Sequence, residues 1–311
     1  MSGGLMAHPP RDANRLTSCR AQPLSGAMKL FALTTFTMLF FASNSLLTRA
    51  GVADGMDPLT FAAIRVGAGA VFLGVIALWQ RGQVPITGRT RLLSVIGLSV
   101  YLLGFSLSYL TLEAGMGALV LFATVQLCLF GAAIAFREVI GPRRWLGMGI
   151  AMSGLTLLLL PGGGGGVDLA GVAWMILGGA GWALYTYMGK SSDWALGNSA
   201  GNFLLSTGVL FLAVPLWWGG VITPLGLVCA VASGAIASGL GYALWFVVLP
   251  QMATTTAGVA QLCVPVIAVI GGAVLLDEPV TLPIILACAV VLGGIALATV
   301  PPARKAGSPP Q

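Results

Sequence analysis

Val125-Gln126-Leu127-Cys128 and Ala260-Gln261-Leu262-Cys263 carry the same three residues, Gln-Leu-Cys, near the middle of two long apolar runs. A glutamine in that setting lies about as far from water as a bilayer-spanning helix allows, and its amide needs a partner. The neighbourhoods match too. Ser108 to Cys128 and Ala243 to Cys263 are ungapped blocks of equal length, and Glu138 to Pro161 pairs in the same way with Glu278 to Pro301. The chain reads as a duplication: two five-helix halves enclosing a pathway, with one glutamine at matching depth on either side.

Composition sets the environment. Only 8% of the residues are charged and 57% are apolar, whereas a soluble domain carries about 25% charge. The chain therefore belongs in a membrane. Its length accommodates roughly ten spans of about 20 residues with short loops, leaving little for a soluble domain, so any transport path is the protein itself. The net charge of +6 comes from basic residues scattered singly between apolar runs, which argues for orientation in the membrane and against nucleic acid as a partner. The cysteines Cys19, Cys128, Cys229, Cys263 and Cys288 have no metal-ligand spacing and are expected to be free, buried thiols. The first 28 residues are polar and precede an apolar core without containing one, which marks a tail and not a cleavable signal.

The expected spans are Leu30 to Arg49, Pro58 to Gln80, Leu92 to Leu112, Ala114 to Phe136, Trp145 to Leu160, Leu169 to Gly189, Gly201 to Trp218, Pro224 to Leu249, Met252 to Leu276 and Val280 to Val300. An even count puts both termini on one side. With that side cytoplasmic, every basic residue except Arg49 and Arg65 lies inside or at the inner ends of the spans. Five spans per half also force the second half to insert upside down. The fold class is thus an all-α integral membrane protein with ten transmembrane helices in two inverted-topology five-helix repeats, 29–161 and 169–301. Polar tails, 1–28 and 302–311, flank the repeats, and the glycine-rich outer linker 162–168 joins them as a spacer in preference to a hinge.

Polar and aromatic residues mark candidate liners. Tyr101, Phe105 and Ser108 step by four and three, and Trp182/Tyr185 and Tyr242/Trp245 are each three apart, so each set shares a helix face. Asn44, between Ser43 and Ser45, interrupts the first span. Such residues either line a wet cavity or pack helix against helix; Trp79, Trp145, Trp217 and Trp218, near span ends, fit the interfacial belt instead. Gln126 and Gln261 either hydrogen-bond between helices or bind cargo, and their duplication favours cargo. Arg65 stands about seven residues inside its span, roughly 10 Å along the helix, where burial costs about 3 kcal/mol. It is expected to snorkel to the surface; the competing reading has it binding a substrate carboxylate. Gly67 with Gly69, Gly178 with Gly181, Gly239 with Gly241, and Gly293 with Gly294 are expected to let helix backbones approach. Pro265, four residues after Gln261, removes a backbone hydrogen bond and bends its span.

Several chemistries fall away. Gly189-Lys190-Ser191 resembles the end of a phosphate-binding loop, but the glycine required upstream is Leu184 and the segment is a membrane helix. The single histidine, His8, lies in the tail, and no carboxylate falls in mid-membrane, since Glu138 and Glu278 sit at helix ends. No enzyme activity, cofactor or metal is expected.

With paired five-span halves in view, the chain resembles the drug/metabolite transporter superfamily, in particular proteins with two EamA-type domains, from Lys29 to Val300. The resemblance rests on Phe41-Ala42-Ser43-Asn44, on Pro58 followed by Arg65, and on Arg137-Glu138 running to Gly154 and Pro161, echoed by Asp277-Glu278-Pro279 running to Gly294 and Pro301. Gly181-Trp182-Ala183-Leu184-Tyr185 and Gly241-Tyr242-Ala243-Leu244-Trp245 look most like bacterial exporters of amino acids, aromatic ones included. The resemblance implies cytoplasmic termini in a bacterial inner membrane and alternating access around a cavity lined by spans 1, 3, 4, 6, 8 and 9. The first half departs from the second in lacking five residues between Gln126 and Glu138 and any counterpart of Pro265.

The expected function is export of small neutral metabolites, most of all amino acids. Tyr101, Trp182, Tyr185, Tyr242 and Trp245 form the walls, and Asn44, Gln126 and Gln261 bind the zwitterionic end. Membrane lipid is the other partner; monomer or dimer stays open. The alternatives are an organic-anion or phosphorylated-sugar exchanger using Arg65, and a lipid-handling membrane protein.

Overall fold

The computed structural model describes residues 24–137, 139–159, 168–189, 194–212, 220–252 and 260–299. Their helices are α1 (Leu24–Ala53), α2 (Pro58–Arg81), α3 (Arg91–Ser108), α4 (Ala114–Ala135), α5 (Pro142–Leu159), α6 (Leu169–Gly189), α7 (Ala195–Leu212), α8 (Pro224–Gln251), α9 (Cys263–Leu275) and α10 (Leu282–Thr299). Seven of them are long and apolar enough to cross a membrane. The protein is an all-α membrane protein of two inverted repeats. Local chemistry sets the helix starts: the Asp57 carboxylate accepts from Thr60 N–H at 2.7 Å ahead of Pro58, and Thr223 accepts from Gly226 N–H at 3.0 Å ahead of Pro224.

The principal helix pairs show how the halves are joined. Helices α3 and α6, α2 and α7, α1 and α8, α4 and α9, and α5 and α10 pack together, as do α4 with α6, α1 with α9, α2 with α8 and α3 with α7. Exchanging each helix with the one five places on maps this set onto itself: α3/α6 becomes α8/α1, α4/α6 becomes α9/α1, α2/α8 becomes α7/α3, and the other three map onto themselves. Each helix therefore finds its main partners in the opposite half. A second mark of the repeat lies in the backbone. Among the described residues the only non-glycine residues with positive φ are Arg137, at 55°, and Asp277, at 52°, each just before the glutamate that opens the last segment of its half.

Glycines set the closest approaches. A Cβ on Gly97 would stand 2.9 Å from the Gly181 carbonyl oxygen, and one on Gly181 would stand 2.7 Å from that of Gly97. Gly147 and Gly294 meet in the same way between α5 and α10, at 2.5 and 2.6 Å. Gly67 and Gly293 do not serve as expected: a Cβ on Gly67 meets its first neighbour at 3.9 Å and one on Gly293 meets nothing. In those two pairs the helix turns only one glycine to its partner, whereas Gly178 and Gly181 both face α3, and Gly239 and Gly241 face α2 and α1.

Some boundaries move. Helix α1 starts at Leu24, not Leu30, and α7 at Ala195, not Gly201, because hydrogen bonding and not polarity ends a helix. The expected burial of the cysteines fails in part. Cys229 is buried, but Cys128 and Cys288 are half-buried and Cys263 is exposed on the bundle surface. Glu138, Lys190, the linker 162–167, Trp217, Trp218 and the C-terminal tail lie outside the described residues, as do residues 1–23 of the N-terminal tail. An apolar hollow of about 430 Å³ lined by Ala68, Val71, Phe72 and Val231 lies between α2 and α8 on the outer surface of the bundle.

Gly181→Ala is expected to lower thermal stability in detergent by about 1–3 kcal/mol, because its methyl group meets backbone that cannot yield locally. Gly293→Ala should be neutral or stabilising. Equal melting temperatures for the two variants would remove the glycine contact as the determinant of α3/α6 packing.

Candidate functional site

At the middle of the bundle, aromatic side chains from both halves meet. Trp182 of α6 lies 4.9 Å from Tyr101 of α3, 5.2 Å from Tyr242 of α8 and 5.6 Å from Tyr185, between ring centroids. Phe41 of α1 closes the group, 5.9 Å from Tyr242 and 5.8 Å from Trp245. Tyr101, Tyr185, Tyr242 and Trp245 are buried, whereas Trp182 is half-buried. Five of the eight candidate residues thus form one cluster. The Tyr185 hydroxyl donates to Ser199 Oγ at 3.0 Å, which ties the cluster to α7.

Asn44 joins this cluster through Arg65, which does not snorkel. Its side chain is fully buried and points into the bundle. Nη2 donates to Tyr101 Oη at 2.9 Å, Nε and Nη2 donate to Ser238 Oγ at 3.4 and 3.3 Å, and Cζ stands 5.3 and 4.9 Å from the Tyr101 and Phe105 ring centroids. Ser238 in turn donates to Asn44 Oδ1 at 3.1 Å, which also accepts from Ser233 at 2.8 Å. The expectation of snorkelling fails for a physical reason. These hydroxyl and ring partners replace part of the water that the guanidinium gives up.

Ser233 and Ser238 are the residues the sequence reading missed. In an α-helix, positions five apart point about 140° away from each other. Here Ser233–Leu240 is π-helical, and the wider i→i+5 turn brings both hydroxyls to one oxygen of Asn44. The signal available was the small-residue run Ser233-Gly234-Ala235-Ile236-Ala237-Ser238-Gly239, with Gly234 against the Arg65 backbone.

Gln126 and Gln261 stand apart from the aromatic cluster. Gln126 is midway along α4 and Gln261 just ahead of α9, two helices that pack on each other; both side chains are half-buried and neither hydrogen-bonds to another described residue. Pro265 has no N–H to offer the Gln261 carbonyl four residues earlier, and the helix is interrupted at Leu262. A backbone acceptor is freed beside the amide.

Polar ties at both ends of the bundle hold the halves together. At the end remote from the termini, Arg49 Nε donates to Glu278 Oε1 at 3.3 Å and Nη1 to the Tyr109 carbonyl at 2.9 Å. Both Glu278 oxygens accept from Ala114 N–H at 2.9 Å, placing the carboxylate at the positive end of α4. At the other end, Arg91 Nη1 donates to the Asn198 carbonyl at 2.7 Å and to Asn202 Oδ1, while Nη2 donates to Asn198 Oδ1 and Pro85 O, both at 2.9 Å. From sequence alone Arg91 reads only as an orienting charge at the inner end of its span.

The EamA-like transporter family matches residues 28–160 and again 169–300. The chain belongs to that family. It is a membrane transporter. Among similar proteins, an uncharacterised protein of Pseudomonas aeruginosa is 41% identical over 86% of this chain and 94% of its own length. The threonine/homoserine exporter RhtA of Salmonella typhimurium is 30% identical over 82% of this chain and 88% of its own. A solved crystal structure, 18% identical, shares the fold with a TM-score of 0.63 over 88% of this chain and 96% of that one.

Two outcomes follow from this geometry. Tyr101→Phe removes the acceptor for a buried guanidinium N–H and should cost about 1–3 kcal/mol in thermal unfolding. Burial and the neighbouring Glu278 carboxylate push the Glu113 carboxyl above its usual range. The folded state therefore holds that proton more tightly than the unfolded chain. This contribution to stability is full below the unfolded pKa and is lost as pH rises through the folded value. Glu113→Gln, which cannot ionise, should melt higher than the wild type near pH ~7 and show no such advantage near pH ~4.

Proposed function

We propose that the protein is a secondary transporter of a bacterial inner membrane that exports small neutral metabolites, amino acids including aromatic ones, by alternating access. The observation that carries this reading is the meeting of Tyr101, Trp182, Tyr242 and Trp245 in mid-bundle, on helices of both halves. A site shared between inverted repeats changes access when one repeat rocks against the other. Aromatic faces suit apolar or aromatic side chains, and the hydroxyls and indoles supply hydrogen bonds without charge. Gln126, Gln261 and the carbonyl freed by Pro265 supply acceptors for an ammonium group, on the α4/α9 side of the pathway. The likeness to an exporter of threonine and homoserine supports amino-acid cargo.

Orientation follows from charge. Lys29, Arg81, Arg89, Arg137, Arg143 and Arg144 cluster at the end of the bundle that carries the chain termini, which is therefore the cytoplasmic end. The Arg49–Glu278 tie then closes the periplasmic end. The repeats that rock are 29–161 and 169–301.

In proteoliposomes without ATP, counterflow of labelled threonine, homoserine and phenylalanine is expected in the wild type. Trp245→Ala and Gln126→Ala should each reduce it by tenfold or more. Undiminished transport in both variants would remove the assigned site, and no counterflow of any neutral amino acid would remove the function.

A further inference from the structure

We infer that Arg65 is the carboxylate receptor of the transport site, its free Nη1 N–H groups taking the acid group of the cargo; this rests on the reading of the protein as an amino-acid exporter and deepens it. A guanidinium has five N–H donors. In Arg65, Nε and Nη2 engage Tyr101 and Ser238, whereas Nη1 is buried and has no hydrogen-bond partner. No carboxylate among the described residues pairs with it; their ion pair is Arg49–Glu278, at the bundle end. All the partners Arg65 has are uncharged hydroxyls and ring faces. The charge itself is left uncompensated in a region where a cation is costly. An anion that arrives with the cargo completes it.

The surroundings are built to hold the group still. Tyr101 and Phe105 flank the guanidinium, and Ser238 is fixed by Asn44, which the π-helical turn of α8 places in reach. A planar, oriented guanidinium matches a carboxylate far better than a mobile ammonium does. Tyr101 is also the link to the walls, since its ring packs 4.9 Å from Trp182. A carboxylate on Nη1 puts the rest of the cargo against Tyr101 and Trp182. The acid of the zwitterion thus goes to Arg65 and not to Asn44, whose Oδ1 is taken up by Ser233 and Ser238. Arg65 is fully buried, so the acid reaches it only as the helices part. A single cation suits a monocarboxylate, not a phosphate dianion, because Arg49 is already paired with Glu278 at the bundle end.

The test compares phenylalanine, phenylalaninamide and phenethylamine, by thermal stabilisation of the purified protein and by competition in counterflow. The wild type should favour the acid over the amide and the amine by tenfold or more, the size of a lost charge-assisted hydrogen bond. Arg65→Lys should keep the preference for the acid but weaken its binding by about ten- to hundredfold, and Arg65→Gln should abolish the preference. A wild type that binds amine and acid equally overturns the inference, without recourse to any variant. So does a folded Arg65→Gln protein that still prefers the acid, or, should Arg65→Gln not fold, an Arg65→Lys protein with wild-type affinity. If other monocarboxylates stabilise the wild type in an Arg65-dependent way while no amino acid is transported, the receptor stands and the amino-acid function falls. If amino acids are transported with no acid preference, the function stands and the receptor falls.

Discussion

Backbone contact between glycines of opposite halves is the constraint on which the rest of this structure depends. In lipid no hydrophobic force drives helices together, so association rests on how closely backbones fit. Gly97 on Gly181 and Gly147 on Gly294 bring α3 against α6 and α5 against α10. Because each helix finds its main partners across the repeat, the halves interleave and do not merely abut. Residues far apart in sequence then share the central seam: Asn44 with Ser238, Arg65 with Tyr101, Phe41 with Trp245.

The same interleaving explains how a cation survives at mid-bundle. The π-helical turn of α8 faces α1 and α2, and it is where Ser238 reaches both Asn44 and Arg65. A regular α-helix would turn one of its two serines away. The local departure from α-helical geometry therefore creates a polar relay across the seam, within an otherwise apolar interior. Polar ties at either end, Arg49 with Glu278 and Arg91 with Asn198 and Asn202, cross the same seam. These polar interactions lie between the halves, and the apolar helix faces supply the rest of the contact.

Much of the candidate site was legible in pairs and not as a whole. Spacings of three and four put Trp182 with Tyr185, Tyr242 with Trp245, and Tyr101 with Phe105; the first and last pairs meet ring to ring, and Tyr242 and Trp245 meet through Phe41. What joins the pairs was not legible. Ser233 and Ser238 lie five apart, a spacing that carries no meaning for an α-helix. The inward turn of Arg65 was missed because a membrane helix that is apolar on nearly every face has no stripe to say which side turns inward. For the same reason Gly69 could not be told from Gly67, nor Gly294 from Gly293, by sequence.

Composition, the duplicated Gln-Leu-Cys blocks and the asymmetry of basic charge were enough to establish an all-helical membrane protein built from two inverted repeats. These are one-dimensional properties: length, hydropathy and repetition, all set by the thickness and polarity of the bilayer. Tertiary structure alone decided how each helix is rotated about its axis, and so that Arg65 faces Tyr101 and Ser238 while Gly293 faces outward. That rotation is set by close packing against helices from the other half, a contact between residues too distant in the chain for any local pattern to encode.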